Sequence, residues 1–152
     1  MPIRKHMLKY IEKVEKKYGS SLRTPASDSE IIKMNLIIQQ KLGNIIIPEP
    51  YIEFLKEVNG LDFNGLVMYG VDEEILEKEI DEKIHGFIET NAFWYENDWQ
   101  KQYIFLGESD TAWYCYVPKE NVYVELDKPS GTLMQSFKSF DAMLSDALET
   151  NI

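Results

Sequence analysis

Residues 103–127 read YIFLGESDTAWYCYVPKENVYVELD, and this stretch decides the fold. Apolar and aromatic residues recur in it with a period of two, in runs bounded by polar turn residues, which is typical of strands. The runs predict strands over residues 103–106, 111–117 and 121–127. A turn over residues 118–121 separates the last two runs, so we expect these two strands to pair in antiparallel fashion.

Helical patterns stand on both sides of this region. Apolar residues that recur every three or four positions predict helices over residues 7–18, 28–42, 48–58 and 87–96 and a last helix after Ser139, and Pro48-Glu49-Pro50 suits the first turn of the third helix. Residues 66–69 are predicted to form one further strand. The apolar stripe by which the second helix would pack on the core is predicted to consist of Ile31, Ile32, Leu36, Ile38 and Leu42. Helices followed by strands and a closing helix predict an α+β fold, in which N-terminal helices pack on a mainly antiparallel sheet with a C-terminal helix.

Length and composition predict one globular domain over residues 1–152. The chain has the usual size of a single domain, and its 44% hydrophobic and 28% charged residues are ordinary for globular proteins. No apolar run reaches the ~20 residues of a membrane span. The first residues carry charges where a signal peptide needs an apolar stretch. We therefore expect a cytoplasmic protein with no membrane partner.

Charge is unevenly distributed along the chain. The net charge is −10, which divides into +5 for residues 1–47 and −15 for residues 48–152. A surface this acidic repels nucleic acid and attracts basic proteins. We therefore expect a basic protein partner and no nucleic-acid partner, although acidity that serves only solubility is the competing interpretation.

The residue types that usually carry chemistry are few and scattered. His6 and His85 lie far apart, and the single Cys115 lies in an aromatic strand pattern that favours a buried, inert thiol. No metal-ligand spacing or phosphate-binding glycine loop is present, and Gly107-Glu108-Ser109-Asp110 lacks the second glycine of a nucleophile elbow. The sequence predicts no enzyme activity, catalytic residue, cofactor or metal site, with a carboxylate-based glycosidase as the minor alternative.

One candidate binding surface is the acidic segment, residues 72–82, which holds seven acids and one lysine. Its candidate partner-binding residues are Glu73, Glu74 and Glu77. A basic partner would meet its highest local density of negative charge there. The alternative is a solvated segment held in place by its apolar residues, Ile75, Leu76 and Ile80.

The second candidate surface follows from strand alternation. If Val122, Val124 and Leu126 face the core, the residues between them face the other way, and the same rule separates Trp113 and Cys115 from the tyrosines beside them. Aromatic anchors next to acids are typical of binding hot spots. We call this second surface the tyrosine face, and its candidate partner-binding residues are Tyr114, Tyr116, Tyr123, Glu125 and Asp127. The alternative is that a helix buries this face.

Several stretches in the same order resemble one protein family. They are PEPYIEFL at residues 48–55, Asn59-Gly60, LVMYG at 66–70, LGESD at 106–110, the strands at 113–116 and 122–126, and SFKSF at 136–140. This series resembles the SUKH superfamily of SMI1/KNR4-type proteins and is most similar to its YrhA-like bacterial branch.

That resemblance implies an immunity protein, which holds a cognate polymorphic toxin inactive in the cell that produces it. The toxin of such systems is often a nuclease, for example an RNase. The net charge of −10 agrees with this expectation, because a nuclease needs basic surface to attract phosphate and an acidic protein can cover that surface. A scaffold or regulatory protein-interaction module without catalysis is the alternative that the resemblance leaves open.

Overall fold

The structure, a computed structural model, describes residues 3–17, 23–77 and 85–151. These residues form the predicted α+β fold with a C-terminal helix and a six-stranded antiparallel sheet. Two 3-10 turns, Glu73–Ile75 and Asp98–Gln102, stand between the regular elements. The helices are α1 (Ile3–Lys17), α2 (Asp28–Lys41), α3 (Glu49–Glu57), α4 (Phe87–Trp94) and α5 (Phe140–Asn151), and the strands are β1 (Leu61–Phe63), β2 (Leu66–Met68), β3 (Ile104–Glu108), β4 (Ala112–Val117), β5 (Val122–Asp127) and β6 (Leu133–Phe137).

Each strand pairs with the next one along the chain, so the sheet is a meander in the order β1-β2-β3-β4-β5-β6. The predicted antiparallel pairing of β4 with β5 is confirmed. The sequence patterns did not predict β1 and β6. Asn64 and Gly65 join β1 to β2 with φ angles of 51° and 86°, and positive φ at both central residues is what a tight two-residue hairpin requires.

One part of the apolar core lies between the sheet and helices α3 and α5, and α1 packs against α5. Phe140 at the start of α5 contacts the rings of Tyr51 and Phe54 from α3 and of Tyr123 from β5, with centroid distances of 5.5–6.1 Å. Leu8 and Ile11 of α1 are buried in the same cluster. The face of the sheet on which Tyr123 lies is therefore covered by helices.

The opposite face of the sheet is also covered. Trp113 of β4 lies on it, with its ring 5.1 Å from Trp94, 6.0 Å from Trp99 and 5.7 Å from Phe105. Trp113 is buried, as are Val124 and Leu126, which share its face. The predicted alternation is thus correct, but the chain buries both faces, since residues 94–103 fold over the second one.

Helix α2 begins as predicted and exposes part of its predicted stripe. The Ser27 side chain accepts a hydrogen bond from the Glu30 N–H, and the Glu30 carboxylate accepts one from the Ser27 N–H, which forms a capping box. The prediction is wrong for Ile32 and Leu36, which are exposed. Helix α2 packs through Ile31, Met34 and Ile38 instead.

Tyr51 ties α3 to the sheet through its hydroxyl. The side chain is fully buried, and its O–H donates to the carbonyl oxygen of Tyr69 at 2.5 Å. Burial, and to a lesser degree the charge of Asp72, raises the pKa of Tyr51 far above its usual value, so the phenol stays protonated and keeps its donor. A buried carbonyl without a donor costs free energy, so this bond fixes where α3 lies.

We expect Tyr51→Phe to lower the free energy of unfolding by about 1 to 3 kcal/mol, because the Tyr69 carbonyl loses this donor while the ring is kept. Denaturant unfolding followed by circular dichroism measures the loss. Tyr10→Phe, at a tyrosine that is 49% exposed, is the matched control and should change stability little. Equal stability of the two variants would show that the Tyr51 hydroxyl has no structural role.

The thiol of Cys115 should be inert in the folded protein. It is fully buried in β4, and burial raises its pKa well above the ordinary thiol value, so little thiolate forms near neutral pH. We expect no reaction with a chromogenic disulfide reagent under native conditions and complete reaction in guanidinium chloride. Rapid labelling of the native protein would contradict the burial of β4.

Candidate functional site

The acidic segment begins with a residue that supports the fold. The Asp72 carboxylate is buried and accepts hydrogen bonds from the backbone N–H groups of Ile88 (2.8 Å) and Glu89 (2.9 Å), in the first turn of α4. Burial raises the pKa of Asp72, and these two hydrogen bonds oppose the shift. Asp72 therefore caps α4 and does not belong to an exposed acidic surface. Residues 78–82 of the segment, including Ile80, lie outside the described residues.

The three candidate glutamates of the acidic segment differ in their surroundings. Glu73 and Glu74 are exposed, and a Glu74 carboxylate oxygen lies 3.8 Å from the Lys41 ammonium nitrogen. Glu77 accepts hydrogen bonds from the hydroxyls of Ser27 (2.7 Å) and Ser29 (2.5 Å) at the start of α2. Glu73 and Glu74 thus present charge to solvent, while Glu77 holds the segment against α2.

The tyrosine face lies largely under α5. Tyr114 and Tyr123 are buried, which is the alternative that the sequence left open for this face. Tyr116 is half-buried, its ring is 5.0 Å from that of Tyr123, and its O–H donates to the Asn121 side-chain oxygen at 2.8 Å. Of the three predicted tyrosines, Tyr116 is thus the one that a partner can reach most directly.

The two acids of the tyrosine face are half-buried and hydrogen-bonded. Glu125 accepts a hydrogen bond from the Gln135 side chain at 3.2 Å. Asp127 accepts one from the Ser130 hydroxyl at 2.6 Å, and its backbone N–H donates to the Thr132 carbonyl. Asp127 therefore shapes the turn between β5 and β6.

A groove of about 390 Å³ opens where the tyrosine face reaches the surface. The first turns of α3 and α5 form two of its walls, and the turn between β4 and β5 forms another. The residues that line it are Pro48, Glu49, Pro50, Glu53, Tyr116, Asn121, Tyr123, Lys138, Ser139, Phe140 and Asp141. The groove brings together two of the predicted candidates, Tyr116 and Tyr123, with acids that sequence reasoning did not select.

The groove is acidic at its rim and aromatic at its floor. Its lining includes three carboxylates, those of Glu49, Glu53 and Asp141, and one ammonium group, that of Lys138. Burial, followed by the nearby Tyr116 and Asp141, raises the pKa of Tyr123 to about 12. The Tyr123 phenol is therefore neutral at physiological pH, and the groove favours a cation with apolar or planar surface.

The groove residues also have simple structural roles. Glu49 and Asp141 lie in the first turns of α3 and α5, where a carboxylate is favourable because it faces the positive end of a helix dipole. Ser139 accepts a hydrogen bond from the Ala142 N–H at 3.1 Å and so caps α5. Glu53 is exposed in the middle of α3, so neither role accounts for it. The Pro48-Glu49-Pro50 motif identified a helix start, but only folding brings it beside α5.

The described ranges contain no group of three or more His, Cys, Asp or Glu residues that could hold a metal ion. Within the same ranges, none of the helices has the length and apolar character that crossing a membrane requires.

Comparison with known proteins places the chain in a family. The family model described as SMI1 / KNR4 family (SUKH-1) matches residues 25–146. This range includes α2 to β6 and most of α5, together with every residue of the groove. No curated protein matches the chain significantly. The match identifies the family and not a branch within it, so membership of the YrhA-like branch stays a prediction. The chain belongs to the SMI1/KNR4 family, SUKH-1.

Proposed function

We propose that this protein is an immunity protein that binds a cognate polymorphic toxin with a basic nuclease domain, an RNase, and neutralises it. The SUKH-1 family is known for immunity-protein domains, and membership implies a cognate toxin as partner. The nuclease is our extension of that statement. An enzyme that cleaves nucleic acid needs basic surface to hold phosphates, and a protein of net charge −10 attracts such a surface.

The acidic groove with its aromatic floor is the observation that carries this proposal. An arginine or lysine side chain of the toxin would enter between Glu49, Glu53 and Asp141 and pack on the ring of Tyr116. Binding hot spots commonly combine a buried aromatic residue with a charged partner. The acids would then replace the phosphates that the basic residue contacts in its substrate, so the bound toxin could not hold nucleic acid.

The acidic segment has a different role in this proposal. Glu73 and Glu74 are exposed on the 3-10 turn Glu73–Ile75, where they add to the negative potential of the surface. Charges of this kind mainly accelerate encounter with a basic partner, and salt screens them. We therefore assign steering to the acidic segment and contact to the groove.

We propose that inhibition requires no chemistry by the protein itself. A toxin whose phosphate-binding surface is covered cannot bind its substrate, so one inhibitor molecule blocks one toxin molecule. Affinity and residence time then decide the level of protection, and turnover by the inhibitor does not enter.

Reversing the charge of the groove should weaken binding to a cognate toxin domain, for which the genes next to this one are the first candidates. In Glu49→Lys with Glu53→Lys, two carboxylates of the rim become ammonium groups that repel a basic side chain. We expect the dissociation constant, measured by calorimetry, to rise more than about tenfold. Nuclease activity in the mixture should return in parallel.

Two variants with the same change in charge separate contact from steering. Glu73→Lys with Glu74→Lys should lower the association rate and leave the dissociation rate nearly unchanged. Glu12→Lys with Glu15→Lys, on α1, is the control for net charge and should have the smallest effect. If the α1 pair weakens binding as much as the groove pair does, the groove is not the contact site. If no variant weakens binding and association ignores salt, the electrostatic account is wrong.

A further inference from the structure

Strand β6 forms an edge of the sheet and contains no charged residue and no proline. It stands last in the strand order, so every second backbone N–H and C=O group along it points away from β5. Proteins commonly protect such edges with lysine or proline within the strand. Residues 130–137 contain neither, and residues 129–137 carry no charge, in a chain of which 28% is charged. The first four side chains of the strand, those of Leu133, Met134, Gln135 and Ser136, are exposed.

One side of this edge is apolar. Leu133 pairs with Leu126 and therefore lies on the Trp113 face of the sheet, whereas Gln135 pairs with Glu125 on the other face, because the register of β6 shifts between the two pairs. Leu133 and Met134 are each 57% exposed, and Trp99 is 42% exposed. The ring of Trp99 lies so close to Gly131 that a Cβ there would come within 2.6 Å of two ring atoms. Trp99 thus extends the apolar surface next to the start of β6.

The other side of the edge is acidic. The Gln135 side-chain nitrogen donates to a Glu125 oxygen at 3.2 Å and to an Asp146 oxygen at 3.1 Å, so two carboxylates share one neutral amide. Burial, followed by the charge of Asp146, raises the pKa of Glu125. Neither carboxylate forms an ion pair with a lysine or arginine in the described part of the chain.

We propose that the β6 edge binds an extended segment of a partner protein as a seventh strand, and that this segment alternates apolar with basic residues. Backbone hydrogen bonds to β6 would provide affinity, and the alternation would provide specificity. The apolar residues would contact Leu133 and Trp99 on one face, and the basic residues would reach Glu125 and Asp146 on the other.

Charge selects this partner over a second copy of the chain. Two copies joined edge to edge would carry −10 each and would bring their Glu125 and Asp146 carboxylates towards one another. A basic segment instead supplies the cations that these carboxylates lack. The proposal rests on the proposed function only for the origin of the segment, which would belong to the toxin.

A synthetic peptide of about eight residues that alternates lysine with valine has the length of a typical strand and tests the proposal without the toxin. We expect fluorescence anisotropy to detect binding that weakens with salt. Hydrogen exchange should slow at backbone amides within residues 133–137 when the peptide binds. Replacing the central valines by proline keeps the charge of the peptide and removes its ability to pair as a strand, so this control should not bind.

Matched variants of the full chain test the two sides of the edge. Leu133→Lys should weaken peptide binding at least about tenfold, whereas the same substitution at Leu36, which is 61% exposed on α2, should leave binding unchanged. Glu125→Gln with Asp146→Asn should reduce binding more than Glu12→Gln with Glu15→Gln, which removes the same charge from α1.

Several results would overturn the proposal. They are the absence of peptide binding, equal binding of the proline peptide, equal effects of the Leu133 and Leu36 variants, and amide protection confined to other residues. A wild-type dimer that Leu133→Lys converts to monomers would also overturn it, because a second copy would then occupy the edge. Neutralisation of the toxin without peptide binding would reject strand addition and leave the immunity function standing. Peptide binding without neutralisation of the toxin would reject the immunity function and leave strand addition standing.

Discussion

The buried hydroxyl of Tyr51 must find an acceptor inside the protein, and it finds one in the backbone carbonyl of Tyr69. The same side chain lies within ring contact of Phe87 at the start of α4 and of Phe140 at the start of α5. One residue of α3 therefore fixes three helices relative to the end of β2. Because α3 and α5 are held side by side, their first turns meet, and the groove forms between them.

The sequence predicted the elements whose pattern is strong over several residues. Strands β4 and β5 were predicted to within one residue, because aromatic and β-branched residues alternate through both. Strand β1 has three residues, too few for a visible period, although Asn64-Gly65 after it is a strong hairpin signal. Strand β6 was missed because its sequence, LMQSF, places two apolar residues side by side and two polar residues after them, so it shows no period of two.

The candidate site was harder to predict, because tertiary packing decides which side chains reach solvent. Alternation placed Tyr114 and Tyr123 correctly on one face, but α5 then covers that face. Asp72 reads as one of many surface acids and is instead a buried cap, since α4 folds back against it. Glu53 was not selected, as a single acid on a helix carries no signal until the β4–β5 turn is packed opposite it.

The central claim is that this acidic protein neutralises a nuclease toxin by binding it, one molecule to one. The most direct measurement takes a candidate cognate toxin domain with RNase activity, at a concentration far above the dissociation constant, and follows that activity as this protein is titrated in. The account predicts that activity falls linearly and reaches zero at an equimolar ratio, with the end point unchanged by longer incubation. Complete inhibition at a small fraction of that ratio, progressing with time, would contradict it and would indicate that the protein acts on the toxin as an enzyme.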